Sequence, residues 1–174
     1  MSLYSELLFD MNALSYLDKL VILPQALGCI ERPLTSDLIR YKEMSHENSR
    51  PRWEEAERCG MMSLELSEEE MAEVVQCMLE NKGLSLYDAG MIFLCQKTGF
   101  PLFTEDKKMM SVMKQLSLPH ISLVSFVETL GDAGLLSGEK VAEICKRICA
   151  ELLPKRYDSE CERICERFMI AEED

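Results

Sequence analysis

The sequence predicts an α/β domain: a three-layer α/β/α arrangement around a central, mostly parallel five-stranded sheet, with a helical hairpin appended at the C-terminus. Three observations predict it. Short apolar runs alternate with helical stripes up to Val124, the pattern of strands joined by crossover helices. Capping signals punctuate the helices, Ser-x-x-acid at their starts and Gly at their ends. After the last apolar run only helical periodicity remains, which predicts two final helices packed as a hairpin.

The elements follow in order. Leu7–Phe9 reads as a buried strand ending at Asp10. Met11–Leu20 carries apolar residues at 11, 14, 17 and 20, a helical stripe, and Leu20–Leu27 continues with a break at Pro24. Pro33–Ser36 predicts a second strand, and Thr35, Ser36 and Asp37 offer caps for a helix through Glu43. The polar stretch His46–Arg52 reads as a loop and Trp53–Arg58 as one or two helical turns. Gly60–Leu66 alternates as a third strand. Ser67 with Glu70 forms a capping box for a helix that Gly83 stops, and Ser85 with Asp88 forms another for a helix that Gly99 stops. Phe100–Phe103 and His120–Val124 are the fourth and fifth strands, with Thr104 as N-cap of the helix between them and Glu105 and Asp106 in its first turn. A helix over Ser125–Ala133 ends at Gly134. Another runs from Ser137 to Leu153, stopped by Pro154, and the last starts at Asp158 or Ser159, where Ser159 with Glu162 matches a capping box.

The 174 residues are 47% hydrophobic and 29% charged, which suits a folded chain with a real core. No basic leader and no long apolar segment is present, so the expectation is a cytoplasmic protein with no membrane association. The net charge of −12 argues against a protein that simply coats nucleic acid. It leaves a metal-dependent site that screens its own acids, a basic protein partner, or no nucleic-acid role. Eight cysteines in a chain without an export signal are expected as reduced thiols. Cys145/Cys149 and Cys161/Cys165 are i, i+4 pairs that could supply a four-thiolate zinc site. Structural zinc favours tighter Cys-x-x-Cys knuckles, so helix-packing thiols are the stronger expectation.

Four acids follow strands or open helices: Asp10, Glu43, Asp88 and Asp106. Right-handed crossovers in a parallel sheet bring the carboxyl ends of its strands to one edge. Carboxylates gathered there repel one another and stay ionised only beside a cation, and oxygen ligands select Mg²⁺ or Mn²⁺. Such an ion activates water for phosphodiester hydrolysis. Plain capping is the stronger reading for Asp88 and Asp106 taken alone, a turn residue accounts for Asp10 equally well, and a solvated helix face accounts for Glu43.

Several stretches carry a family likeness. LLFDMNALSYLDKL, TSDLIRYKEM, LSLYDAGMIFLCQKTGFPLFTEDKKMM and SLVSFVETLGDAGLLSGEKV follow one another in the order and local wording of a PIN domain, the metal-dependent nuclease fold of bacterial VapC-type toxins and related proteins. The chain resembles that family over roughly residues 5–145, which sets an expected PIN-like domain at 1–145 and a helical extension at 146–174 packed on it. The resemblance implies a ribonuclease in which Asp10, Asp88 and Asp106 bind Mg²⁺ or Mn²⁺ and Glu43 completes the catalytic acids. Glu43 sits farther from the apolar pair Leu38–Ile39 than the family pattern places its acid. Asn12, Thr104 and Lys107 take supporting or substrate-orienting roles. RNA is the implied substrate. Many members dimerise, and toxin members pair with an antitoxin, here expected to be basic. A PIN-like protein that binds without cutting is the alternative.

Overall fold

The computed structural model describes residues 2–170. Its chain divides into two compact units, Met1–Ile121 and Ser122–Asp174. Position 145, the expected end of the larger domain, lies inside a helix of the second unit.

The first unit holds five strands: β1 (Tyr4–Phe9), β2 (Ile30–Ser36), β3 (Met62–Leu64), β4 (Leu102–Phe103) and β5 (His120–Ile121). They form one sheet in the order β3-β2-β1-β4-β5, with every pairing parallel. This is the expected α/β architecture, with helices flanking the sheet. Those helices are α1 (Met11–Lys19), α2 (Leu23–Gly28), α3 (Asp37–Ser45), α4 (Arg50–Arg58), α5 (Glu68–Glu80), α6 (Leu86–Thr98) and α7 (Lys107–Gln115). Leu8, Leu34 and Leu102 of the central strands pack with Met91, Ile92, Met109 and Met113 of α6 and α7. Leu7 and Leu8, of opposite parity on β1, are equally inaccessible, so the central strand is covered on both faces. Phe9 meets Phe103 of β4 with ring centroids 5.6 Å apart.

Element edges differ from the sequence reading for physical reasons. β1 and β2 reach back to Tyr4 and Ile30, because register pairing carries polar residues into the ladder: Glu6 faces Arg32, and their side chains meet at 3.3 Å. β4 and β5 are shorter than expected. Pro101 and Pro119 accept ladder bonds from Leu8 and Leu102 but have no N–H to return. Part of the expected loop is helical, since Pro51 sits in the first turn of α4, where its missing donor costs nothing. Pro24 likewise opens a separate helix, α2, within the expected continuation. Both expected capping boxes, Ser67/Glu70 and Ser85/Asp88, are formed, and Gly99 ends α6 in the left-handed conformation at φ 73°.

The second unit is helical: α8 (Leu123–Asp132), α9 (Gly138–Arg147) running into a π-helical turn (Ile148–Leu152), and α10 (Asp158–Ile170). α10 starts at Asp158, so Ser159 is a helical residue and not the expected cap. Close approach depends on Gly131 of α8, where an added Cβ would stand 2.6 Å from Phe168 and 2.7 Å from Val141. Among the described residues no helix is long and apolar enough to cross a membrane.

Candidate functional site

The strand order reverses beside β1. The chain steps outward from β1 through β2 to β3, then returns to lay β4 on the other side of β1. In open parallel sheets the crevice at the carboxyl ends of two such strands is where ligands bind. Asp10 follows β1 there, and Thr104 and Asp106 follow β4.

Asp10 is the N-terminal flanking residue of α1, yet its side chain does not cap that helix's second or third turn position. It is 3% exposed. Its Oδ2 accepts a 2.9 Å hydrogen bond from the Thr104 hydroxyl, 94 residues away. The same hydroxyl accepts from the Asp106 N–H at 3.1 Å. Thr104 therefore ties the two acids together. Asp106, not Thr104, is the N-cap of α7, accepting from Met109 N at 2.8 Å. The expected cap was two residues early because Thr104 spends its hydroxyl across the sheet edge. Asp88 closes its capping box by accepting from Ser85 N at 2.8 Å. Capping and site placement thus coincide at Asp88 and Asp106, and each keeps one carboxylate oxygen without a hydrogen bond among the described residues.

Burial raises the Asp10 carboxyl from its ordinary 3.8 to about 6, and the nearby negative charges of Asp88 and Asp106 push the same way; the Thr104 bond and the Met11 amide pull against them. Among the described residues no cation pairs with any of these three acids. Glu43 differs. It is 5% exposed, and its Oε2 lies 3.4 Å from Arg52 Nη2 of α4. Arg52 also donates to Ser15 Oγ of α1 at 3.2 Å. The fourth acid thus has its own cationic partner, which the polar stretch around Arg52 did not reveal as such. Asn12 and Lys107 are exposed at the starts of α1 and α7.

The donor chemistry of Asp10, Asp88 and Asp106 is that of hard oxygen ligands. Among the described residues, however, no three His, Cys, Asp or Glu side chains are gathered as a ligand set. Mg²⁺ is commonly held by one or two carboxylates with water completing its octahedron. A buried, uncompensated carboxylate beside a second one fits that mode of binding.

No family model and no curated protein matches this chain. It is similar to the crystal structure of PAE2754 from Pyrobaculum aerophilum at 21% identity and a TM-score of 0.51, over 73% of this chain and 98% of that one. At that identity the likeness shows the fold alone.

Proposed function

We propose that the carboxyl edge of β1 and β4 is the active site of a Mg²⁺- or Mn²⁺-dependent ribonuclease of the PIN-domain type. The observation that carries this reading is Asp10. It is a buried carboxylate at the strand-order reversal, with Asp88 and Asp106 as its charged neighbours and no cation paired with them among the described residues. Asp10 and Asp88 would hold the ion, which would supply a bound water of lowered pKa and a positive charge beside phosphorus.

The chain's own groups do the rest. Thr104 holds the Asp10 carboxylate through one oxygen, and the Met11 amide also bonds it. Asp106 completes the acid edge. Glu43, held by Arg52, supports it from α3. Lys107 stands in the first turn of α7, where the helix dipole disfavours a cation, and a phosphate nearby would offset that cost. Asn12, exposed at the start of α1, orients the substrate.

One observation favours the non-cutting alternative: the acids do not stand together as a three-ligand set. A toxin-like role with a basic antitoxin rests on the −12 charge, which suits a cationic partner. The deciding experiment measures cleavage of a labelled RNA with Mn²⁺ by the wild-type protein and by Asp10→Asn. Cleavage lost in the variant supports the ribonuclease. Equal activity in both removes it, and no activity in either favours the binding role.

A further inference from the structure

The second unit gathers chemistry of another kind. Cys145 and Cys149 lie one turn apart along α9 and its π-helical turn, and Cys161 and Cys165 lie one turn apart on α10. All four line one cavity of about 310 Å³, together with Lys146, Asp158 and Glu162. None is in a disulfide. The backbone departs from α-helical winding at this point, since the π-helical turn Ile148–Leu152 contains Cys149. Such single π turns recur where a side chain is re-aimed for function.

In an antiparallel hairpin two i, i+4 pairs face each other as an inner and an outer couple. Here the inner couple is Cys149 with Cys161 and the outer is Cys145 with Cys165, each in side-chain contact, and Cys161 also touches Cys145. Exposure divides within each couple. Cys149 and Cys165 are partly accessible, whereas Cys161 and Cys145 are buried. A reagent reaches one thiol of each couple first, and the buried partner stands behind it.

Metal binding is the first alternative to weigh. Among the described residues no three thiols or carboxylates surround a point as ligands of one ion. Thiols that touch in the order Cys149, Cys161, Cys145, Cys165, with no three around one point among the described residues, fit bond formation between neighbours better than coordination. We propose that these cysteines are a reversible oxidation site, at which Cys149–Cys161 and Cys145–Cys165 disulfides staple α10 to α9. The oxidant is a low-molecular-weight disulfide. The exposed thiol, as thiolate, attacks one of its sulfurs and releases one reduced thiol. The buried partner then attacks the mixed disulfide and releases the second. Each bridge costs the protein two electrons and two protons, and the oxidant carries them away as two thiols.

The chemistry sets the pace. Burial and the neighbouring Cys161 push the Cys149 thiol up to about 12, and burial raises Cys165. Little thiolate is present at neutral pH, so exchange is slow and the bridges must be read at equilibrium. This proposal is independent of the acid site.

The full-length protein is equilibrated at mildly alkaline pH in buffers of rising oxidised-to-reduced glutathione ratio, then trapped with a maleimide and mapped by mass spectrometry of proteolytic peptides. The expected result is a peptide pair joined through Cys149 and Cys161 and another joined through Cys145 and Cys165. The thermal midpoint should rise, and both links should be lost on adding reductant. In Cys149→Ser the inner link disappears while the outer one persists. Glutathione adducts on Cys149 and Cys165 without any cross-link would overturn the proposal. So would one equivalent of tightly held zinc that blocks all four thiols until chelator is added. Mapping of the wild-type chain decides the question even if a variant does not fold.

Discussion

The acid edge of the first unit and the thiol cavity of the second each hold side chains whose burial disfavours charge, Asp10 in one and Cys149, Cys161 and Cys165 in the other, but they are built by different means. Asp10, Thr104 and Asp106 meet through strand topology, across 94 residues between Asp10 and Thr104. The four cysteines meet through helix periodicity and one reversal of direction within 21 positions, 145–165. Charge repulsion among fixed carboxylates leaves the first cluster short of a cation. In the second, burial raises the Cys149, Cys161 and Cys165 thiols, and the cluster is short of an oxidant. Topology, it follows, can place permanent charges that local sequence would never put side by side, whereas a hairpin brings together only what lies on facing stripes.

That contrast can be sharpened by experiment, starting with the largest effect. A carboxyl whose folded-state pKa is raised contributes stability that is complete below its unfolded value of 3.8 and is lost as pH rises through about 6. In metal-free protein at pH 7 ionised Asp10 therefore costs about 3 kcal/mol, from the shift at about 1.4 kcal/mol per unit. Asp10→Asn should stabilise the fold by up to that amount at pH 7 and by almost nothing at pH 4, read by urea denaturation at both pH values. Mn²⁺ should raise the wild-type midpoint and leave the variant unmoved. If the variant's gain over wild type is no larger at pH 7 than at pH 4, the acid edge is not charge-frustrated.

Thr104→Val comes next. It removes the bond to Asp10 and leaves the Asp106 amide without its acceptor, which should cost about 2 kcal/mol. It should also move the Asp10 titration higher still, because the Thr104 bond favours the carboxylate; carbon-detected NMR titration of the side chain reads this directly. Ser85→Ala should cost about 1 kcal/mol by opening the capping box of α6. The Asp88 carboxylate keeps its bond to the backbone N–H of position 85, so metal affinity, measured by calorimetry, should change less than stability. The smallest effect belongs to the second unit. Arg163 makes two 3.0 Å bonds to Glu128 but is exposed, and Arg163→Ala should leave the thermal midpoint nearly unchanged. A large loss there would mean that the helical unit depends on surface charge more than on its packed face.

Patterns confined to one segment were readable from the chain alone. The alternation of strands and helices, the capping boxes at Ser67 and Ser85, the stop at Gly99 and the acids after β1 and β4 all follow from near-neighbour spacing. Helix stripes and caps arise within a turn or two, where backbone geometry leaves few choices.

Other features needed the folded chain. Nothing near Thr104 in sequence says that its hydroxyl turns to Asp10, and so moves the cap of α7 to Asp106. The partnership of Glu43 with Arg52 depends on how α3 meets α4, and the shortening of β4 on which residues its neighbours offer for pairing. Hydrogen-bond partners and pKa values of buried groups are set by what surrounds them in space, and long-range contact has no local signature. The sequence by itself determined which acids and thiols the protein has and the elements that carry them. Tertiary packing decided which of them are buried together, and therefore which must share a proton, a cation or a bond.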